Sequence, residues 1–311
     1  MSNNNRIIPV FDHSASPNPS RMPSWIRQRI GGGVIYDATA RAVKDHQLNT
    51  VCEEASCPNR GECWSRGTAT FMLLGETCTR ACGFCNVKTG KPDWFDSDEP
   101  RRIADAIHKM ALDYVVLTSV NRDDMNDGGA SIFGNTIIAM RERIPDLGIE
   151  LLTPDFNRVE AQAIKIITES LATVPSEKRI NTQMVWGHNI ETVPRLYKQA
   201  RKGSNYQRSL DLLEKIAAIK SIEAKSAIML GLGESQQEVI EVLTDLRDCG
   251  VQRVSMGQYL RPTRYHLPVD RYLDPQEFID YEKISLDMGF SWVKCGPLVR
   301  SSYHAEETQE K

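Results

Sequence analysis

From residue 70 onward the chain alternates between two hydrophobic rhythms. Short apolar runs at residues 70–74, 114–119, 149–152, 183–186, 226–230 and 253–256 read as buried strands. Between and after them, apolar side chains fall at helical spacing. The stripes are Ile103, Ile107, Met110, Ala111; Ile132, Ile137, Met140; and Ala163, Ile166, Ile167. They continue as Leu210, Leu213, Ile216, Ala217; Val239, Val242, Leu243, Leu246; and Phe278, Tyr281, Ile284, Leu286. Gly250 and Gly289 stand where helix C-termini belong. Six strand–helix units in series predict parallel strands joined by right-handed crossovers. Six is fewer than the eight of a closed barrel, so a partial barrel and an open doubly wound sheet both fit. Polar loops follow most of the strands, at the end where α/β folds place their chemistry.

Residues 25–68 have a different texture. One helix is expected near residues 36–46, followed by a cysteine-bearing loop with Pro58 and Gly61. Residues 1–24 read as a polar arm in which Pro9, Pro17, Pro19 and Pro23 block regular structure. There is no internal repeat and no low-complexity tract.

Composition narrows the class. The 311 residues are 41% hydrophobic and 25% charged, the balance of a globular chain with a sizeable core. The formal net charge of −3 predicts no general attraction to nucleic acid or to an anionic membrane. No apolar run reaches the roughly 18–20 residues of a membrane helix. The opening Met1-Ser2-Asn3-Asn4-Asn5 lacks the apolar core of an export signal, so a cytoplasmic location is expected. Eight cysteines are then poorly explained as a disulfide framework. Six of them crowd between residues 52 and 85.

The sharpest pattern is Cys78-Thr79-Arg80-Ala81-Cys82-Gly83-Phe84-Cys85, a C-x3-C-x2-C directly after the first strand. Three soft thiolates on a glycine-bearing loop suit an iron–sulfur cluster or a zinc ion. Zinc would ask for a fourth Cys or His nearby, and none follows locally. A three-cysteine cluster leaves one iron open to a small molecule. A second trio, Cys52-x4-Cys57-x5-Cys63, lies among Glu53, Glu54, Asn59, Arg60 and Glu62. Three thiols in so polar a stretch point to a second metal centre.

The C-x3-C-x2-C with Phe84 before its last cysteine, followed by βα repeats, resembles the radical S-adenosylmethionine superfamily. The two trios together narrow the resemblance to the lipoyl synthase family, from about residue 23 to 305. Its further blocks here are Asn121-Arg122-Asp123-Asp124, Asp127-Gly128-Gly129-Ala130, Glu150-Leu151-Leu152-Thr153-Pro154-Asp155, His188-Asn189-Ile190-Glu191-Thr192-Val193 and Arg300-Ser301-Ser302-Tyr303.

The resemblance implies a partial (β/α)6 barrel of the radical S-adenosylmethionine type over residues 69–290. Residues 1–68 would form the arm and auxiliary-cluster loop, and residues 291–311 a C-terminal extension. It implies two [4Fe–4S] clusters and S-adenosylmethionine as cofactors. Cys78, Cys82 and Cys85 would hold one cluster; Cys52, Cys57, Cys63 and Ser302 would hold the other and serve catalysis as the sulfur source. The implied reaction inserts two sulfur atoms, at C6 and C8, into an octanoyl group on a lipoyl-carrier domain, with an electron donor such as ferredoxin or flavodoxin. Phe84, Gly128, Gly129, Asn189, Glu191, Arg195 and Gly231 would contact S-adenosylmethionine. For Gly128 and Gly129 a tight turn with a helix cap is an equal reading, and for Arg195 a surface ion pair is. His266 and Arg271 fit either a substrate channel or satisfied loop positions. Cys249 and Cys295 read as structural, and Arg201-Lys202 as part of a solvated face. Residues 176–186 depart from the family's usual wording.

Overall fold

The structure, a computed structural model, describes residues 22–26, 31–55, 57–66, 68–173, 184–305 and 307. Helices α1 (Val34–Asp45), α2 (Val51–Glu54) and α3 (Arg60–Ser65) precede strand β1 (Thr70–Leu73). A two-residue pair, β2 (Thr77–Cys78) and β3 (Lys88–Thr89), flanks the cysteine loop. Then come α4 (Glu99–Met110), β4 (Tyr114–Ser119), α5 (Ala130–Arg143), β5 (Gly148–Leu152), α6 (Glu160–Ala172) and β6 (Met184–Gly187). The chain continues through α7 (Pro194–Ala200), α8 (Tyr206–Ala217), β7 (Ile222–Leu230), α9 (Gln236–Asp248), β8 (Arg253–Gln258), α10 (Pro275–Asp287) and β9 (Trp292–Gly296).

The main sheet has seven strands in the order β1-β4-β5-β6-β7-β8-β9, all parallel. A doubly wound sheet reverses its strand order at a switch point. This order never reverses, so successive right-handed crossovers carry their helices to the same face, and α4 packs on α5 and α5 on α6. That is the partial-barrel arrangement, with β1 and β9 as its edges. The register levels the strand ends: Leu73 lies opposite Ser119, Leu152 opposite Gly187, and Leu230 opposite Gln258. One rim therefore gathers the loops after β1, β4, β5, β6, β7 and β8.

All six strands and all six barrel helices expected from the rhythm are present, although residue 183 lies outside the described residues, as does most of the divergent stretch 176–186. The structure adds three things. Strand β9 falls in the stretch read as a C-terminal extension; its run Trp292-Val293 is cut short by Lys294, which left too little periodicity to see. Helix α7 has only seven residues and opens with Pro194. The cysteine-bearing segment before residue 68 is two short helices rather than a loop, with the Thr50 hydroxyl capping the first at Glu53 N–H.

Strand β7 also begins four residues earlier than its apolar run, through Glu223 and Lys225. Lys225 is buried, and its Nζ donates to both Glu150 oxygens at 2.8 and 2.9 Å, 4.6 Å from the centre of the Trp292 ring. Pairing makes that burial tolerable; removing either partner would cost about 3–5 kcal/mol. The core also holds Phe71, Phe133, Phe156 and Trp186, the phenylalanines contributing about 1.5–3 kcal/mol each on burial.

Candidate functional site

The Cys78–Cys82–Cys85 loop leaves the sheet after β1 and is fastened at several points. Thr79 N–H donates to Asn121 O at 3.0 Å, Gly83 N–H to Ala200 O at 2.9 Å, and Leu267 N–H to Gly83 O at 2.9 Å. Arg80 is the main rivet. Its guanidinium forks onto Asp123 through two bonds of 2.8 Å and onto Asp155 at 3.0 and 2.7 Å, with Ser204 accepting a fifth bond. All five of its N–H groups are used, which suits a buried arginine. Asp155, fully buried, also takes Arg208, and the two arginines hold its carboxyl far below the usual range against the cost of burial.

Each thiol of this trio resists ionisation on its own. Burial pushes Cys82 up to about 11 and Cys85 up to about 12, and neighbouring thiols of the trio add to both shifts. Burial raises Cys78 as well, opposed by N–H donors: Arg80 and Asn121 point at its sulfur from 3.4 and 3.3 Å. Three crowded, desolvated thiolates become stable only when a cation takes them, since metal ligation deprotonates thiols outright. Backbone N–H groups on sulfur and the nearby cations Arg80 and Arg201 complete a donor set that fits an iron–sulfur cluster. Among the described residues no three Cys, His, Asp or Glu side chains close tightly enough to hold a single metal ion. A four-iron cluster takes one thiolate per iron and asks for no such closure.

The second trio lies on α2, α3 and the turn between them. Cys52 is buried, not part of a polar loop, and burial pushes its thiol up to about 11 while the Thr70 N–H pulls it back and Cys57 adds to the rise. Ser302 reaches the same place: its Oγ accepts from the Thr70 hydroxyl at 2.9 Å. The C-terminal block is tied to the cysteine helices by Asn59 Nδ2 donating to Leu298 O at 2.6 Å and Tyr303 Oη donating to Glu62 at 3.2 Å. Gly257 lets it in, since a Cβ there would strike the Val299 carbonyl. One further feature fits a metal group. The Trp64 indole nitrogen, one residue after Cys63, is buried with no nitrogen or oxygen acceptor among the described residues and lies toward the Cys52 sulfur. The thiol, hydroxyl and indole set suits a second cluster.

The two trios are neighbours. Asn86, next to Cys85, donates from Nδ2 to the carbonyl of Glu54, two residues beyond Cys52, at 3.0 Å. Half-buried Arg300 interacts with both Cys57 and Glu191; burial lowers its affinity for its proton and these two groups restore part of it.

The remaining predicted residues take definite places. Asn189 Nδ2 donates to Glu191 Oε1 at 3.0 Å, and Glu191 adopts φ 69°, an unusual left-handed backbone that marks a constrained turn. Burial raises the Glu191 carboxyl, Arg201 opposes that rise, and its charge is felt by Cys82 and Cys85. Gly129 has φ 88° and no room for a Cβ, which would drive into Leu74; Asp127 caps its N–H and that of Ser131 at 2.9 Å. The turn-and-cap reading of Gly128 and Gly129 therefore holds. Gly231, at φ 95°, lies hard against Gln258 and the Arg271 carbonyl. Phe84 packs on the small cluster of Tyr259, Leu267 and Val269.

Arg195 pairs at the surface, with its Nη2 also donating to the Gly233 carbonyl at 2.8 Å. It is exposed and forks onto Glu238 at 2.8 and 3.0 Å, the ion pair being the better of its two readings. Arg201 corrects its own reading: it is buried, not solvated. Its Nη1 donates to Tyr197 Oη at 2.6 Å and Ser209 Oγ at 3.1 Å, and Nη2 approaches His188 Nε2 at 3.3 Å. His188 is held neutral, its pKa pushed down to about 3 by burial and by Arg201, with Nδ1–H on the Thr153 carbonyl at 2.8 Å. Within an otherwise solvated helix end, sequence offered no signal for a buried Arg201. His266 bridges Thr263 and the Cys85 carbonyl at 2.9 and 3.0 Å, and Arg271 forks onto Glu277.

Comparison with known proteins bears on the whole chain. Residues 72–246 match the Radical SAM superfamily. A lipoyl synthase of Rubrobacter xylanophilus is 49% identical over 93% of this chain and 86% of its own length. Lipoyl synthases of Methylobacillus flagellatus (46%, covering 95% and 88%) and Nitrosomonas eutropha (49%, covering 92% and 88%) are similarly close. Among solved structures, Streptococcus suis SuiB bound to precursor peptide SuiA superposes with a TM-score of 0.52 at 14% identity. That match covers 83% of this chain and 52% of SuiB, and it speaks for the fold alone.

Proposed function

The chain belongs to the lipoyl synthase family of the radical S-adenosylmethionine superfamily, and on that premise we propose how its own residues insert two sulfur atoms into a protein-bound octanoyl group. Cys78, Cys82 and Cys85 would hold the cluster that binds S-adenosylmethionine. Cys52, Cys57, Cys63 and Ser302 would hold an auxiliary one. When bound, these [4Fe–4S] groups supply the electron that splits S-adenosylmethionine and the sulfur that enters the chain at C6 and C8.

The observation that carries this reading is the Asn86–Glu54 bond, which ties the trio that precedes β1 in the sequence to the one that follows it. A carbon radical must meet sulfur before it meets water or protein hydrogen, so adjacency is the requirement that chemistry sets. The residues divide the work. Arg80 holds the first loop rigid through Asp123 and Asp155. Arg201 and neutral His188 place a buried positive charge beside Cys82 without offering a proton. Thr70 positions Cys52 and Ser302 at once. Asn189, Glu191, Gly128, Gly129 and Gly231 line the strand-exit rim where S-adenosylmethionine would lie. Ser302 offers a hard oxygen among soft thiolates, a ligand weak enough to let its iron go.

The same reading divides the chain into an arm and auxiliary helices (1–68), a barrel (69–290) and a tail (291–311) that lends β9 to the sheet. It makes octanoylated lipoyl-carrier domains the substrates, a small redox protein such as ferredoxin or flavodoxin the electron donor, and the cytoplasm the location. No helix among the described residues is long and apolar enough to cross a membrane. The test is anaerobic turnover with an octanoylated carrier domain, read by mass. A gain of two sulfurs with loss of two hydrogens supports the assignment. S-Adenosylmethionine cleavage without any sulfur gain, from protein holding both clusters, refutes it.

A further inference from the structure

The chain has five tryptophans, and four are accounted for. Trp25 and Trp94 are exposed. The two large buried indoles of the barrel each have an acceptor: Trp186 Nε1 donates to Thr153 Oγ1 at 2.9 Å, and Trp292 Nε1 to the Glu307 carbonyl at 3.0 Å. Trp64 is different. It is 3% exposed, and its buried Nε1 has no nitrogen or oxygen acceptor among the described residues. Buried indole N–H groups normally find a partner, because leaving one unmade forfeits its hydration for nothing.

The ring is also clamped, so it cannot swing out to water. Tyr36 packs on it with ring centroids 5.5 Å apart, and the Arg60 guanidinium lies 5.6 Å from its centroid. The Trp64 carbonyl accepts from Thr39 Oγ1 at 3.3 Å. Held this way, the indole stands one residue from Cys63 and turns its N–H toward the Cys52 sulfur. A phenyl ring would keep much of the apolar contact with Tyr36. Beyond its larger ring, what an indole adds is a donor, on the side of Cys52.

We propose that the Trp64 N–H donates a hydrogen bond to a sulfur of the cluster held by Cys52, Cys57, Cys63 and Ser302, and thereby raises its reduction potential. The inference rests on the auxiliary-cluster reading above. A donor on sulfur favours the more negatively charged reduced state, so its removal shifts the equilibrium toward the oxidised one. Trp64 is in this sense a positioning and tuning residue.

The experiment uses the full chain carrying Cys78→Ala, Cys82→Ala and Cys85→Ala, so that only the auxiliary site can load. After anaerobic reconstitution this parent should bind about four irons. Adding Trp64→Phe should leave the iron content unchanged and lower the midpoint potential in an EPR-monitored titration. A shift of about tenfold in the one-electron equilibrium corresponds to about 59 mV. Equal iron with an unmoved midpoint overturns the Trp64 assignment and leaves the cluster reading standing. A parent that binds no iron overturns both. Should the phenylalanine variant not load, the parent grown with ¹⁵N-indole tryptophan gives the answer without mutation. Pulsed EPR of its reduced cluster should show coupling to one indole nitrogen, and no coupling overturns the inference.

Discussion

Thr70 holds Ser302 and Cys52 together: its hydroxyl donates to the Ser302 Oγ across 2.9 Å while its N–H turns to the Cys52 sulfur. A single residue at the start of the first barrel strand thus joins two ligand candidates from opposite ends of the chain. Thr70→Val keeps the N–H and removes the hydroxyl, a loss of about 1 kcal/mol of positioning. Lipoyl product should form about fivefold more slowly, with 5′-deoxyadenosine release unchanged. Ser302→Ala should abolish the product altogether under the same chromatographic and mass readouts.

The two trios should fail in different ways. Cys82→Ala should stop S-adenosylmethionine cleavage and lipoyl formation together. Cys52→Ala should leave cleavage intact and stop only sulfur insertion. Iron analysis after anaerobic reconstitution should give about eight irons for the unaltered chain and about four for either variant. A Cys52→Ala protein that still makes lipoyl product would remove this trio from the chemistry.

Arg80 should matter to stability as much as to activity. Arg80→Met leaves fully buried Asp155 with Arg208 as its remaining partner, at a cost of about 3 kcal/mol in a denaturant melt of the metal-free chain. Arg80→Lys keeps the charge but cannot fork onto two carboxylates, so it should recover only part. The acid behaviour follows in sign. Its arginines hold the Asp155 carboxyl well below the unfolded value of about 3.9, so its stabilisation is complete above that pH and drains away in stronger acid. Arg80→Met should shallow that acid limb.

His188 gives a second pH signature. Its pKa falls from 6.5 to about 3 in the folded chain, so the unfolded chain binds the extra proton first as pH drops. Stability from this group is fully present above about pH 6.5 and is lost toward pH 3, at about 1.4 kcal/mol per pH unit. His188→Gln, which does not titrate, should flatten the stability curve over that window. An unchanged slope would mean that other groups dominate it.

Much of this was legible in the sequence because periodicity reports burial. Six strands and six helices announced themselves through apolar spacing, and the C-x3-C-x2-C through thiol spacing alone. What escaped was set by tertiary pairing. Lys225 reads as a strand boundary until Glu150 is placed against it. Arg201 reads as surface until Tyr197, Ser209 and His188 close around it. Strand β9 hides because Lys294 breaks its apolar run, and α2 and α3 hide because four and six residues hold too little of a helical period. The choice between a doubly wound sheet and a partial barrel rests on strand order, which no local pattern encodes. Arg195 and Arg201, six residues apart, differ in the same way: the surface ion pair is one of two readings for Arg195, whereas burial of Arg201 leaves no trace in its neighbourhood.

The chain-order sheet also imposes a timetable on assembly. During synthesis the loop of Cys78, Cys82 and Cys85 emerges early and whole, whereas the Ser302 hydroxyl that closes on Thr70 beside Cys52 follows 232 residues after Thr70. Of the two thiol trios, the one beside Ser302 is thus closed last. A chain cut short before Ser302 would carry both thiol trios, with Thr70 and Cys52 lacking the hydroxyl that closes on them.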